Sequence, residues 1–302
     1  MNRNSIHFVW LLVLIVVGVA WFVFKEEPPP TPPAQPSQPT APSAPGTPAE
    51  PVSASPHLRW GNPSRATKDL KDRNNYLIEK PYFALSYNND KGTPNWVSWQ
   101  LVRADLGHTP RNNQQFRSDE ELPAGFKVVL NSDYDGSGFD RGHMCPFGDR
   151  TATERSGMET FVLTNAVPQS PNDNRKGWEQ FEEYCRSLVL DHGKDLYVVA
   201  GPQGQGGVGS KGPRASLRGH NGEIVVPAVT WKVVLVLDAG KPPGPDARLI
   251  AVNIPNDQTV GEDWKPYLTS VKAVEALTGY TFFSLADPKI IGPLKEKVDH
   301  ER

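Results

Sequence analysis

Residues 28–56 carry 12 of the chain's 30 prolines, mixed with Ala, Ser, Thr and Gln. Proline has no backbone N–H to give and disrupts helix interiors and central strands, so this stretch cannot enter a packed core and reads as an extended, semi-stiff spacer. Ahead of it, Ile6 to Phe24 is almost wholly apolar, with Arg3 before it and Lys25-Glu26-Glu27 after it. At about 1.5 Å per residue, a helix of that length just reaches across a hydrocarbon core of roughly 30 Å. A cleaved signal peptide has a shorter apolar core of about 7–15 residues, closed by a small-x-small site. Here Gly18-Val19-Ala20 runs straight into Trp21-Phe22-Val23-Phe24, a poor cleavage context. Residues 1–27 are therefore expected to form a signal anchor, 28–56 a linker, and 57–302 one folded domain held outside the cytoplasm; secretion after cleavage is the alternative. Arg3 and the amino terminus add a weak positive-inside bias.

From His57 onward the pattern is mixed. Tyr82 to Tyr87 and Trp96 to Val102 alternate at period two around the turn-rich Asn88-Asn89-Asp90-Lys91-Gly92, which predicts a hairpin. Phe161-Val162-Leu163, Leu196 to Ala200, Thr230 to Leu237 and Leu249 to Asn253 add predicted strands. A helix is predicted from about Lys176 to Leu190, because Trp178, Phe181, Cys185 and Leu188 recur at spacings of three and four. Glu182 and Arg186, four apart, share a different face. Strands and helices mixed in this way indicate an α+β domain. The glycine-rich Gly201 to Gly212 lacks the Lys-Ser/Thr ending of a phosphate loop and receives no nucleotide chemistry.

Asp135 to His143, with glycines at 136, 138 and 142, places acid, guanidinium and imidazole on one glycine-loosened loop. Asp140, Arg141 and His143 there supply a charge anchor, an anion clamp and a candidate general base. Downstream lie Thr164-Asn165-Ala166-Val167-Pro168-Gln169, then Asn172-Asp173-Asn174, then the Trp178-bearing helix with Glu182-x-x-x-Arg186. In order and approximate spacing these segments resemble the DNA/RNA non-specific endonuclease family, the sugar-non-specific nucleases. The likeness runs loosely from about Asn75 to the Leu277-to-Phe283 stretch and leaves out the first 56 residues.

The resemblance implies a single α+β domain with a central antiparallel sheet flanked by helices and a ββα-metal core. It implies phosphodiester hydrolysis in DNA and RNA alike, with 5′-phosphate products. His143 becomes the general base, its tautomer fixed by Asp140 or a backbone carbonyl, and Asn174 the one direct ligand of Mg²⁺, with Mn²⁺ as the alternative. Glu182 would orient a metal-bound water, Arg186 would meet the charge of the transition state, and Arg141 would clamp phosphate. An upstream arginine also belongs to the site, and the register leaves Arg111 and Arg117 open, with Arg111 favoured. Asp140 and Asn165 complete the expected substrate-binding set. By residue type alone, Asn174 also suits a helix N-cap, and Glu182 with Arg186 a surface ion pair.

Charge tempers the expected affinity for nucleic acid. Residues 1–56 take two of the 32 basic and three of the 34 acidic side chains, leaving 30 against 31 for the domain. Tight non-specific binding of nucleic acid draws on a basic surface, so weak, salt-sensitive binding is expected. The sequence fixes no oligomeric state; DNA, RNA, the membrane and an inhibitor protein are the partners considered. A silent binding module or an exported adhesive domain would suit the stalk equally, yet neither explains why the His143 and Asn174 segments occur together. Cys145 and Cys185 flank the proposed site, and a disulfide and two separate buried thiols both remain open.

Overall fold

The computed structural model describes residues 54–300. The expected anchor and nearly all of the proline stretch lie outside these residues, and among the described residues no helix is long and apolar enough to cross a membrane. Strands β1 (Tyr76–Glu79), β2 (Ala84–Asn88) and β3 (Thr93–Leu101) come first, followed by β4 (Asp140–His143), helix α1 (Glu154–Glu159) and β5 (Ala166–Gln169). Helix α2 (Trp178–Leu190) leads to β6 (Lys194–Gln203), then to the short β7 (Gly207–Gly209), β8 (Gly212–Arg214), β9 (Ser216–Gly219) and β10 (Gly222–Val225). Strands β11 (Val229–Asp238), β12 (Arg248–Pro255) and β13 (Leu268–Thr269) precede helices α3 (Val271–Thr278) and α4 (Pro288–Lys295).

The central sheet has the order β1-β2-β3-β6-β11-β12-β13, and every neighbouring pair is antiparallel. Its middle strands are apolar at nearly every position because both faces are covered. On one face Leu196, Val198, Val234 and Val236 pack with Trp178, Phe181, Cys185 and Leu188 of α2. On the other, Tyr197, Val199, Val233 and Leu235 pack with Val271 and Val274 of α3 and Ile291 of α4. The predicted helix face thus lands on the sheet, three of the four other predicted strands fall within observed ones, and the predicted hairpin matches β2 and β3 except at Tyr82, Phe83 and Val102, which lie just outside them.

Two local expectations need correction. Phe161-Val162-Leu163 is not a strand: these side chains are buried, but Val162 makes only an isolated bridge to Arg117 and the chain then enters a 3₁₀ turn at Leu163–Asn165. The strand lies just beyond, where β5 pairs with β4 in an antiparallel ribbon that matches Asp140 with Gln169 and His143 with Ala166. Asp140 to His143 is therefore strand rather than loop. Gly136 and Gly138 adopt positive φ in the preceding turn, whereas Gly142 is needed for space, since a Cβ there would overlap the Gln169 side chain.

A π-helical turn, Asp173–Gly177, joins β5 to α2. One buried amide holds this junction to the sheet. Asn256, just past β12, accepts from the Ser170 N–H at 2.6 Å and donates to the carbonyls of Pro168 at 3.0 Å and Pro227 at 2.8 Å. Asn256→Ala would strand three buried backbone groups. We expect it to lower stability by about 2–4 kcal/mol, read as a shift of the denaturant midpoint at constant slope.

Candidate active site

Strands β4 and β5 with helix α2 make a ββα unit, and its polar side chains open onto a cleft of about 240 Å³ lined by Arg111, Arg141, His143, Asn174, Glu182 and Arg186. Arg141 and His143 are two apart on β4, so they share a face. Asn174 comes from the π-turn, and Glu182 and Arg186 from successive turns of α2. Six residues singled out in the sequence therefore line one depression. A second cleft of about 450 Å³ adjoins it through Arg111, Arg141, Asn174 and Arg175, and adds Asp140 and Phe116.

His143 is held by packing. Its ring lies 4.4 Å from that of Phe116 and meets Phe161 edge-on at 4.8 Å, and its Nε2 is buried without a hydrogen-bond partner. Burial first, and the Arg111 charge second, lower its pKa to about 3, so the free protein carries a neutral imidazole at physiological pH. Asp140 does not fix the tautomer. Its carboxylate takes Arg175 through Nε at 2.7 Å and Nη2 at 2.6 Å, and accepts the Asn174 Nδ2 at 2.9 Å.

That last bond sets the Asn174 amide. With Nδ2 turned to a carboxylate, the amide oxygen Oδ1 is left without a hydrogen bond among the described residues. The N-cap reading of Asn174 does not hold. The π-turn leaves it nothing to cap, because the Asn174 N–H reaches the Ser170 carbonyl at 2.9 Å, and α2 opens at Gly177 without a side-chain cap.

Three charged groups of the cleft, Arg141, Arg186 and Glu182, are paired within the chain. Arg141 donates to Asp135 at 2.7 Å and to the Asn131 carbonyl at 2.5 Å, with its guanidinium over the Tyr134 ring. Arg186 pairs with Asp149 at 3.1 Å; Asp149 in turn accepts the Trp99 indole N–H at 2.9 Å. Gly148 makes room for this arrangement, since a Cβ there would lie 2.8 Å from the Arg186 guanidinium. Glu182 is paired from beneath by the buried Lys232 at 3.2 Å rather than by Arg186, so the i,i+4 surface-pair reading fails as well. Burial raises the Glu182 pKa, against the pull of Lys232 and Arg186.

Two expected residues stand elsewhere. Arg117 donates to the Met158 carbonyl at 2.8 Å and to Glu159 at 3.4 Å, tying its segment to the end of α1, while Arg111 faces the cleft. Of the two arginines that the sequence left open, Arg111 is the one that lines the cleft. Asn165 is fully buried; it accepts from the Cys145 N–H and donates to the carbonyls of Cys145 and Thr160, so its amide is used inside the fold rather than on a substrate. Both cysteines are free and buried, which decides for separate thiols.

Sequence reasoning missed Lys232, Asp149 and Arg175. A lone charge inside the apolar Trp231-to-Leu237 run was the available signal for Lys232. The aspartate and Arg175 carried none, because only the fold brings them to their partners. Among the described residues no group of three or more His, Cys, Asp and Glu side chains gathers to hold a metal ion.

The model of the DNA/RNA non-specific endonuclease family matches residues 61–289. A nuclease of Nostoc sp. is 47% identical over 82% of this chain and 88% of its own length. Human mitochondrial nuclease EXOG is 34% identical over 68% of this chain and 56% of its own length. The fold also matches the crystal structure of an EndoG/EndoGI complex at TM-score 0.64 and 24% identity, covering 78% of this chain and 92% of that one.

A buried, neutral His143 has a spectroscopic consequence. Its ring resonances in the free protein should keep the neutral-imidazole shift throughout the range from about pH 8 to about pH 5. A midpoint near the ordinary 6.5 in an NMR titration would contradict the dry, arginine-flanked environment.

Proposed function

The chain belongs to the DNA/RNA non-specific endonuclease family, a family of hydrolases, and on that premise we propose that it cuts DNA and RNA phosphodiester bonds with His143 as general base and a divalent ion at Asn174. The observation that carries this reading is the unpartnered, neutral His143 Nε2 at the wall of a cleft flanked by arginines. Neutral imidazole is the form that takes a proton from an attacking water, and such help is typically worth about 10²–10⁴-fold in rate. In the free protein the ring is a weak base. A bound phosphodiester brings negative charge beside Arg111 and so relieves one of the two effects that depress its pKa.

Arg111 and Arg141 hold the phosphate, and Arg186, steadied by Asp149, faces the charge gathered in the transition state. Asn174 suits a hard cation because Asp140 takes its amide nitrogen and leaves only the oxygen to offer. Glu182 stands in the same cleft to orient water. Mg²⁺ is the favoured ion and Mn²⁺ the alternative; either would supply Lewis-acid stabilisation to the phosphate and the leaving oxygen. No residue is assigned to a 2′-hydroxyl, which supports action on both sugars, and family membership supports 5′-phosphate products.

By the sequence argument the domain works outside the cytoplasm on an N-terminal membrane tether. The similar solved structure is an EndoG/EndoGI complex and concerns inhibition of EndoG, which supports an inhibitor protein as a further partner here. Cleavage of circular plasmid DNA and of RNA, with Mg²⁺ and with EDTA, tests the central reading: both substrates should be lost with metal only. His143→Ala should lower turnover about 10²–10⁴-fold without unfolding the protein, and near wild-type cleavage by it would refute the general-base role. Arg111→Ala should weaken catalysis well beyond any effect of Arg117→Ala. Equal losses in kcat/KM for the two variants would undo the assignment of Arg111.

A further inference from the structure

We propose that Lys232 is a positioning residue for this centre: from inside the core it holds the Glu182 carboxylate as an anion at the cleft. The catalytic part of the proposal rests on the nuclease reading above. Lys232 lies on β11 in the row that faces α2, between Thr230 and Val234, where an apolar side chain would be ordinary. Its side chain is 1% exposed, and its ammonium lies 3.2 Å from Glu182 Oε1. Three aromatic rings surround that ammonium, Trp178 at 4.0 Å, Phe181 at 5.8 Å and Trp99 at 5.9 Å.

Taking an ammonium out of water is costly, and a well-packed apolar residue would stabilise the fold at least as well. Cation–π contacts make the burial tolerable but give no reason for a charge at this place. Glu182 gives that reason. Its side chain is 12% exposed and lines the cleft, and its carboxylate makes its only ion pair among the described residues with Lys232.

The other groups around it do not replace that partner. From α2, Arg186 is committed to Asp149 and Cys185 is buried. From the turn before α1, Asp149 repels a second carboxylate, and on β4 His143 is neutral. Without Lys232, burial and the Asp149 charge would act on Glu182 against the pull of Arg186 alone, which favours the protonated acid. A carboxylic acid offers one hydrogen-bond donor and loses the anionic acceptor needed to orient a proton-bearing water.

Lys232→Met, similar in length and uncharged, separates this role from packing. In protein labelled with ¹³C at the glutamate carboxyls and free of metal, Glu182 should read as ionised in wild type at neutral pH and as protonated in the variant. In plasmid cleavage the variant's kcat should fall about 10–100-fold with KM nearly unchanged, and the loss should shrink as pH rises and Glu182 ionises. A Glu182 that stays ionised in Lys232→Met, with an unaltered pH–rate profile, overturns the proposal.

If Lys232→Met does not fold, Lys232→Met/Glu182→Gln decides. Recovery of folding in the double variant supports the pairing, and continued misfolding shows that the ammonium serves the core regardless of Glu182. Should wild type cleave neither DNA nor RNA, the nuclease reading fails by itself, and the carboxyl resonance still decides whether Lys232 sets the charge of Glu182.

Discussion

Coverage of the central sheet on both faces is the constraint on which the rest of the structure depends. β6 and β11 pair without a break from Lys194 with Asp238 to Gln203 with Val229, and their side chains enter two cores in strict alternation. The core on the α2 face also takes in Met144, Cys145 and Val167, the residues next to His143 and within β5. The β4–β5 ribbon is therefore pinned from behind by the same packing that seats α2. Cores of native density resist small displacements, so cleft residues drawn from a ribbon, a π-turn and a helix keep a fixed relation.

This foundation explains how an imidazole can be both buried and available. Phe116 and Phe161 exclude water from its ring, and Arg111, over the Phe161 face at 5.5 Å, adds a charge that opposes protonation. The same arginine lines the cleft where an anion would enter. Under the proposed reading, an anion bound beside Arg111 would offset that charge and make the histidine a stronger base.

Most of the architecture was legible because it rests on periodicity. The apolar runs Leu196 to Ala200 and Thr230 to Leu237 and the Trp178-Phe181-Cys185-Leu188 stripe needed no partner to be recognised. What stayed hidden depends on long-range pairing. Asp140 to His143 reads as loop from its glycine and charges, and becomes strand only because Ala166–Gln169 lies beside it. Phe161 to Leu163 reads as strand from its apolar run, yet those residues fill the core from an irregular segment. In the site, the six cleft residues were named from the chain, whereas Asn165 misled because a motif position does not tell which way an amide points.

The near-neutral charge of the domain looks different once its arginines are located. Arg141, Arg175 and Arg186 each meet an aspartate of the same chain, Asp135, Asp140 and Asp149, while Arg111 makes no ion pair among the described residues. An incoming phosphate therefore finds one unpaired cation and several that already hold a carboxylate. Pairing keeps each guanidinium oriented before substrate arrives, which limits the ordering cost of binding. It also weakens the ground state, because phosphate must share or displace an internal anion. If these arginines meet phosphate as proposed, this balance would favour turnover over retention: binding that is equally strong in ground and transition states would slow release without speeding the chemical step.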